Sequence, residues 1–295
     1  ARTVAEILTK DIIPLFPKRI SLGFLGWMAD HPEKTEQIQE VRFRNGSNLC
    51  LTFPGYSLLL DDLKIGATDI EKTLSVVTDC SYHTLENEFR AGYITIPGGH
   101  RIGLCGQIAS YGDGQYRLRR ISGFCFRVAR QIKGVAEAVI PRLVSDNFTV
   151  ESTLVVSPPG CGKTTFLRDL CRIMGEGLDG AVHPVQIGIV DERSEIAGCY
   201  DGVPQLDVSQ RADVLDRCPK ANELGGDEDA RAVAMALSGG VKVVASCHGR
   251  DLEDIRSKPY SSWLVSKGYF KKAVVLSKRR GPGTVEYAGY IEAYV

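Results

Sequence analysis

The sequence predicts an α/β protein of two domains, an α+β domain over residues 1–148 and a domain built on a parallel sheet over residues 149–295. The chain length corresponds to about two domains of ordinary size. Apolar residues alternate with period two between residues 93 and 120, as in β-hairpins. After residue 150, short apolar runs alternate with helical patterns, which is typical of parallel strands joined by helices.

The composition excludes several functional classes. Lys and Arg total 36 and Asp and Glu total 36, so the net charge is zero and gives no electrostatic case for nucleic-acid binding. No run approaches the roughly 18 apolar residues of a membrane span, and the nine cysteines form no Cys-x-x-Cys pair. We therefore expect a cytoplasmic protein with reduced thiols, which a partner could hold at a membrane.

The first domain is predicted to contain a long helix followed by two hairpins. Thr68–Glu71 fits a capping box at the start of the helix. Ile70, Leu74 and Val77 recur on one helical face, and the pattern continues to Arg90. The predicted hairpin strands are Tyr93–Ile96 with His100–Leu104, and Gln107–Ser110 with Tyr116–Arg120.

The second domain is predicted to alternate strands with helices. Its last segment, Thr284–Val295, alternates in polarity and is expected to form an edge strand. The preceding elements are, in chain order, strand Thr153–Val156, helix Thr164–Met174, strand Val185–Val190, helix Asp229–Leu237 and strand Val241–Ser246.

A glycine-rich loop joins the first strand of this domain to its first helix. Residues 157–165 read Ser-Pro-Pro-Gly-Cys-Gly-Lys-Thr-Thr, which fits a P-loop except that serine replaces the first glycine. The glycines let backbone N–H groups point at an anion, Lys163 would reach the β- and γ-phosphates of ATP, and Thr164 would ligate Mg²⁺. The alternative is a turn that holds no ligand. The predicted ATP-binding residues are Pro159, Gly160, Cys161, Gly162, Lys163, Thr164 and Thr165.

Acidic residues follow the strand predicted over residues 185–190. We expect this strand to lie beside the P-loop strand, so that Asp191 and Glu192 reach the edge of the sheet where the phosphates bind. Glu192 could orient and deprotonate the attacking water, and Asp191 or Glu195 could support Mg²⁺ or Arg193. The alternative is that these carboxylates cap a helix N-terminus, with Arg193 in a solvated ion pair.

The strand that supports magnesium in P-loop ATPases is missing from the pattern. Asn222–Asp227 resembles the tail of such a motif, yet no run of five apolar residues lies between Arg193 and Gly226. Either the sheet lacks this strand, or the chain as given omits a piece of roughly 15 residues. We favour an omission before Glu223, which would then hold Mg²⁺ through water.

Further side chains are candidates by their position. His248 ends a strand and could sense the γ-phosphate, contact another subunit or be structural, whereas His100 in a hairpin turn is expected to be structural. An arginine supplied in trans could stabilise the γ-phosphate. The thiol of Cys161 is expected to react with alkylating agents. The arginine candidates are Arg127 and Arg130, followed by Arg119, Arg120, Arg211 and Arg217.

Several motifs taken together resemble one family. Residues 89–101 read Phe-Arg-Ala-Gly-Tyr-Ile-Thr-Ile-Pro-Gly-Gly-His-Arg, and residues 190–200 read Val-Asp-Glu-Arg-Ser-Glu-Ile-Ala-Gly-Cys-Tyr. With the P-loop they are similar to the family of stage III sporulation AA proteins, and the match covers nearly the whole chain. The other matching segments are residues 202–208, 213–221 and 281–286.

The resemblance implies a relation to the type II and type IV secretion ATPases, in which an N-terminal domain precedes a RecA-like motor that assembles as a hexamer. It further implies a place in the mother-cell cytoplasm of an endospore-forming bacterium, at a membrane-embedded channel complex that the ATPase energises. The Walker A loop, Asp box, Walker B and His box of those ATPases fall on Gly160–Thr165, Asp191–Glu195, Glu223 and His248. The Met-rich helix and apolar strand that precede Walker B in the family are absent from this sequence.

The expected function is therefore an ATP-hydrolysing motor, in which Lys163 and Thr164 hold MgATP and Glu192 and Glu223 act on water and metal. The first domain is expected to regulate, to bind partners and to contribute arginines to the nucleotide cleft. A nucleotide-binding scaffold without turnover is one alternative, favoured if Walker B is lost. A DNA-translocating or recombination ATPase is the other, against which the zero net charge argues.

Overall fold

The structure is a computed structural model that describes residues 2–78, 92–110, 116–217 and 227–294. The chain forms two compact units, Ala1–Arg130 and Gln131–Val295. Within the described ranges, no helix combines the length and the hydropathy that a membrane span requires.

The division between the units falls earlier than residue 148, where we expected it. The segment after Arg130 belongs to the second unit because its side chains are tied to that unit. The Gln131 side chain exchanges two hydrogen bonds with the backbone of Asp207, at 2.8 and 2.9 Å, and Lys133 Nζ lies 2.5 Å from the Asp207 carboxylate. Four residues of the segment are buried in the core of the second unit: Ala136, Val139, Ile140 and Leu143.

The first unit is built on a six-stranded antiparallel sheet with the strand order β3-β2-β1-β6-β5-β4. Its strands are β1 Glu40–Arg44, β2 Asn48–Phe53, β3 Tyr56–Lys64, β4 Tyr93–Ile96, β5 His100–Ser110 and β6 Tyr116–Arg127. Its helices are α1 Val4–Ile7, α2 Lys18–Asp30, α3 Pro32–Thr35 and α4 Ala67–Val77.

An aromatic cluster fills the core of this unit. Phe43, Phe124 and Phe126 are fully buried side chains of neighbouring strands. The ring of Phe16 stacks on Phe43 and meets Phe126 edge-on, with centroids 5.0 Å apart in both pairs. Offset stacking and edge-on contacts are the favourable geometries for aromatic rings, so the cluster stabilises the packing of the N-terminal segment on the sheet.

Both predicted hairpins are confirmed, since β4 pairs with β5 and β5 pairs with β6 in antiparallel register. The capping box was assigned to the wrong residues. The helix begins at Ala67, and the Asp69 carboxylate accepts the N–H of Gly66 at 2.9 Å, so the capping carboxylate lies two residues earlier than predicted. The helix ends at Val77, and most of the expected continuation to residue 90 lies outside the described residues.

The second unit contains a four-stranded sheet of order β10-β7-β11-β12 and a separate parallel pair, β8-β9. Strands β10, β7 and β11 are parallel, and β12 is an antiparallel edge strand, as predicted for the end of the chain. The strands are β7 Thr153–Ser157, β8 Ile187–Asp191, β9 Ala212–Asp216, β10 Val244–His248, β11 Lys272–Ser277 and β12 Thr284–Tyr290. The helices are α5 Ile140–Leu143, α6 Lys163–Glu176, α7 Asp227–Ser238, α8 Leu252–Arg256 and α9 Pro259–Ser266.

The expected position of β8 beside the P-loop strand is wrong. Both neighbouring positions of β7 are occupied, by β10 on one side and by β11 on the other. Strand β11 was not predicted, although residues 273–276 form an apolar run. Strand β8 instead pairs with β9 and packs against helix α6 through its inner face.

His100 is a buried histidine that joins three segments of the first unit. Its exposed fraction is 1%, and its Nε2 lies 2.9 Å from the Asp11 carboxylate. The N–H of Ala129 donates to Nδ1 at 3.0 Å, so the ring proton resides on Nε2 and is donated to Asp11. Burial lowers the pKa of His100, although Asp11 opposes this effect. Arg2 also pairs with Asp11, and these contacts agree with the structural role expected for His100.

Acid should destabilise the first unit partly through His100. The folded protein holds the imidazole neutral, whereas the unfolded chain binds a proton near the ordinary pKa of about 6.5, so lowering the pH from 7 to 5 favours unfolding. One proton contributes at most about 1.4 kcal/mol per pH unit. In His100→Gln this contribution should vanish, which urea denaturation at the two pH values measures. The exposed His183 supplies the control His183→Gln, and an equal pH dependence in both variants would contradict the assignment.

Candidate nucleotide site

The loop between β7 and α6 has the backbone of an anion cradle. Gly160 and Gly162 adopt left-handed φ values of +73° and +82°, which glycine reaches without strain. Helix α6 begins at Lys163 with Gly162 as its N-cap, and no side chain caps its first turn. A helix N-terminus without a side-chain cap is typical of helices that bind an anion with their first N–H groups. Apart from its chain neighbours, no atom lies within 4 Å of a Cβ placed on Gly160, so no other part of the chain covers the loop at this point.

A lysine and a histidine meet above this loop. Strand β10 is parallel to β7 with His248 in register with Ser157, so both strands end at the same edge of the sheet. Lys163 Nζ lies 3.4 Å from His248 Nδ1, which is also 3.4 Å from the Ser157 carbonyl oxygen. The carbonyl of His248 accepts a hydrogen bond from Lys258 Nζ. This arrangement places His248 where it can contact the same ligand as Lys163.

The residues at the loop fit a magnesium ion that arrives with a nucleotide. Thr164 and Thr165 are half-buried in the first turn of α6. Within the described ranges, no group of three or more His, Cys, Asp or Glu residues could hold a metal ion by itself. Magnesium in phosphate sites needs few protein ligands, since phosphate oxygens and water complete its shell. The Thr164 hydroxyl at this position of the motif is the expected protein ligand.

The environment of the Asp191 carboxylate differs from the one expected for a group that supports a metal ion. Its side chain is only 3% exposed. One carboxylate oxygen accepts the N–H of Glu195 at 3.0 Å, and the other accepts the N–H groups of Ile196 and Ala197 at 2.8 and 2.9 Å. These three bonds fold residues 192–197, which we call the acidic loop, around the carboxylate. The structure thus favours the capping alternative for Asp191, although it caps a loop and not a helix.

Arg168 connects the acidic loop to helix α6. This residue was not among those predicted from the sequence. The residue lies in α6 and is 7% exposed. Its Nε donates to the carbonyl oxygen of Ile196 at 2.7 Å, and its Nη2 donates to that of Glu195 at 2.5 Å. Burial lowers the pKa of Arg168, and the nearby charge of Asp191 counteracts this. A buried guanidinium therefore links helix α6, which follows the P-loop, to the acidic loop.

The other acidic candidates are less constrained. Glu192 is half-buried, with Arg193 Nε 3.8 Å from its carboxylate, and Glu195 is half-buried as well. The Glu192 side chain is therefore less engaged by the protein than that of Asp191. Glu223 lies outside the described residues.

Four of the six candidate arginines have side-chain contacts within their own units. In the first unit, Arg127 is exposed and pairs with Glu40 at 3.4 Å, and Arg130 donates to the carbonyl of Ile38. In the second unit, Arg211 donates to the carbonyl of Gly175 at the end of α6. The remaining candidates are Arg119 and Arg120, which are exposed, and Arg217, which lies 3.6 Å from the carboxylate of Asp216.

The expected reactivity of Cys161 is opposed by its burial. The residue is 2% exposed, and its Sγ lies 3.8 Å from the carbonyl oxygen of Pro159. An alkylating agent therefore requires the loop to open before it can reach the thiol.

Comparison with known sequences finds one family across most of the chain. The model of the family "Sporulation stage III, protein AA" matches residues 20–291. The stage III sporulation protein AA of Bacillus subtilis is 40% identical over 266 residues, which cover 84% of this chain and 85% of that protein. The protein SEEDLING PLASTID DEVELOPMENT 1 of Arabidopsis thaliana is 26% identical over 251 residues, or 79% of this chain and 33% of that protein.

Comparison with solved structures finds ATPases of similar fold. The ATPase DotB of Yersinia pseudotuberculosis superposes with a TM-score of 0.51 at 12% identity, covering 88% of this chain and 75% of DotB. The pilus retraction motor PilT, crystallised with ADP, also gives a TM-score of 0.51, at 11% identity and with 84% and 76% of the two chains covered. At these identities the likeness establishes a shared mixed α/β fold.

Asp191→Asn should destabilise the protein, whereas Glu192→Gln should leave its stability nearly unchanged. The amide of asparagine offers one acceptor where the carboxylate offers two, and its NH₂ group would face backbone donors. We expect a loss of about 2 kcal/mol for Asp191→Asn and a change within about 0.5 kcal/mol for Glu192→Gln. Urea denaturation of both variants measures this. Equal stabilities would show that the three hydrogen bonds of Asp191 do not hold the loop.

Proposed function

Because the chain belongs to the family of sporulation stage III AA proteins, we propose that it is a RecA-like ATPase of the secretion-ATPase type that acts in endospore formation. The observation that supports ATP binding most directly is the uncapped N-terminus of α6 behind two left-handed glycines, with Lys163 and His248 at the same edge of the sheet. Such a site attracts a polyphosphate through backbone N–H groups, the helix dipole and a lysine charge.

In the proposed reaction, the P-loop N–H groups and Lys163 bind the β- and γ-phosphates, and Thr164 ligates magnesium. Bound Mg²⁺ neutralises charge that develops on the phosphate oxygens. Glu192 orients the attacking water, and Glu223 holds the metal through water. His248 contacts the γ-phosphate, and Arg127 or Arg130 of the same or a neighbouring subunit stabilises the charge at the γ-phosphate. Asp191 and Arg168 act only by shaping the loop that carries Glu192.

The proposed assembly is a homo-hexamer in the mother-cell cytoplasm, docked on a membrane-embedded channel protein. The fold shared with the ATPase DotB and the pilus retraction motor PilT supports the assignment as a motor. ATP hydrolysis would then drive domain motions that energise the channel. The first unit would serve as the regulatory and partner-binding domain, and no nucleic acid takes part.

A nucleotide-binding scaffold without turnover is the second candidate, and one observation favours it. The two neighbours of the P-loop strand end at His248 and Ser277, so in the described residues neither supplies a carboxylate next to the phosphate loop. A site with a complete cradle and no metal-supporting carboxylate binds ATP well and hydrolyses it poorly.

Phosphate release with MgATP, measured against protein concentration, tests the proposal. We expect turnover that rises cooperatively with concentration and falls at least about a hundredfold in Lys163→Ala and Glu192→Gln, because each removes a group that acts on the transition state. Lys267→Ala, which changes an exposed lysine outside the site, is the control and should retain the activity.

The other outcomes separate the candidates. ATP binding without phosphate release selects the scaffold. The absence of ATP binding by a folded protein would overturn both readings of the site. Stimulation by DNA would instead select a DNA-translocating ATPase, against which the zero net charge argues.

A further inference from the structure

The turn between β11 and β12 lies against the P-loop. The N–H of Gly283 donates a hydrogen bond to the carbonyl of Cys161 at 2.9 Å. A Cβ placed on Gly162 would lie 2.9 Å from the Gly283 nitrogen and 3.1 Å from its Cα. Residue 162 therefore has to be glycine for two reasons, since it needs a positive φ and the turn leaves no room for a side chain. Residues 278–283, which we call the strap, form this contact.

The sheet brings the strap to this place. Strand β11 is parallel to β7, and Val275 is in register with Val156. Both strands therefore end at the same edge, and the chain that leaves β11 has to turn beside the loop that leaves β7. Residues 281–286 match one of the family motifs, and this motif has no role among the site residues predicted from the sequence.

The strap is held in shape by its own hydrogen bonds. The Thr284 hydroxyl donates to the carbonyl of Gly281 at 2.7 Å and accepts the N–H of Arg280 at 3.2 Å. The Arg279 guanidinium binds both carboxylate oxygens of Glu286, at 3.0 and 2.9 Å. A bidentate pair of this kind fixes orientation more than it adds stability, because both side chains are exposed. The turn thus presents the Gly283 N–H in one direction.

We propose that the strap positions the P-loop for phosphate binding, and that Gly283 is a positioning residue of the nucleotide site. An empty P-loop directs several N–H groups toward one point without a partner, which disfavours the cradle conformation. A bond to the Cys161 carbonyl from outside the loop holds this conformation before the ligand arrives. Preorganisation of this kind increases affinity by lowering the entropy lost on binding. The inference rests on the proposed function only for the identity of the ligand.

Gly283→Ala tests the proposal, with Gly240→Ala as the matched control. The two glycines have φ values of +89° and +84°, and neither has an atom within 4 Å of an added Cβ. The strain of an alanine is therefore similar at both positions, but only residue 283 touches the P-loop. Gly240 precedes the start of β10 and therefore lies at the end of the sheet away from the P-loop. Relaxation of the strained alanine at 283 turns its N–H away from Cys161.

Two readouts are measured on the full chain. The first is the alkylation rate of Cys161, followed by peptide mass spectrometry, which should rise in Gly283→Ala because the buried thiol becomes accessible. The second is the affinity for MgADP, which should fall roughly threefold to tenfold, the effect of losing one hydrogen bond. Gly240→Ala should match the unaltered protein in both, while the melting temperatures of the two variants agree.

Equal behaviour of the two variants in alkylation would overturn the proposal. If Gly283→Ala does not fold, Thr284→Val decides, because it removes the hydroxyl that shapes the strap and adds no strain at a positive φ. It should raise the alkylation rate in the same way, and an unchanged rate would refute the strap. If the unaltered protein binds no MgADP, the proposed function fails, whereas Cys161 alkylation still reports on the strap.

Discussion

The structure of the second unit depends on the parallel alignment of three strands. Strands β10 and β11 lie on either side of β7, so that all three end at the same edge of the sheet. The residues at or after the end of each strand contribute a different part of the candidate nucleotide site. Strand β7 leads into the P-loop, β10 ends at His248, and β11 leads into the strap. Parallel strands require crossovers through the surrounding helices, so these parts come from distant positions in the sequence. These parts lie close together because of the strand order of the sheet, which no local sequence motif reveals.

Buried charge links helix α6 to the acidic loop. Arg168 and Asp191 are both nearly inaccessible, yet neither relies chiefly on the other, since each is satisfied by backbone groups of residues 195–197. An ionised group away from water is tolerated only when its hydrogen bonds are complete. The loop is therefore shaped by two charges of opposite sign, one accepting its N–H groups and one donating to its carbonyls.

Much of this unit could be predicted from the sequence, because the P-loop, its flanking strand and helix, the strand ending at His248 and the final edge strand all have local patterns. Strand pairing has no local pattern, and this is why β8 was placed beside β7 when β11, far along the chain, occupies that position. The role of Asp191 was hidden for a related reason. A carboxylate after a strand looks the same in sequence whether it faces a metal or backbone N–H groups, and a buried arginine such as Arg168 resembles a solvated one.

The pair β8-β9 is separate from the four-stranded sheet, and among the residues that the structure describes only one of its faces is covered. Val190 and Leu215 are partners on its outer face, with 50% and 62% of their surfaces exposed. Parallel sheets are ordinarily covered on both faces, and packing is what makes their amide groups slow to exchange with solvent. The amides of this pair should therefore open at a lower free-energy cost than those of β7, whose five residues are all buried. The acidic loop then belongs to the more readily opened part of the unit, and the phosphate loop to the rigid part.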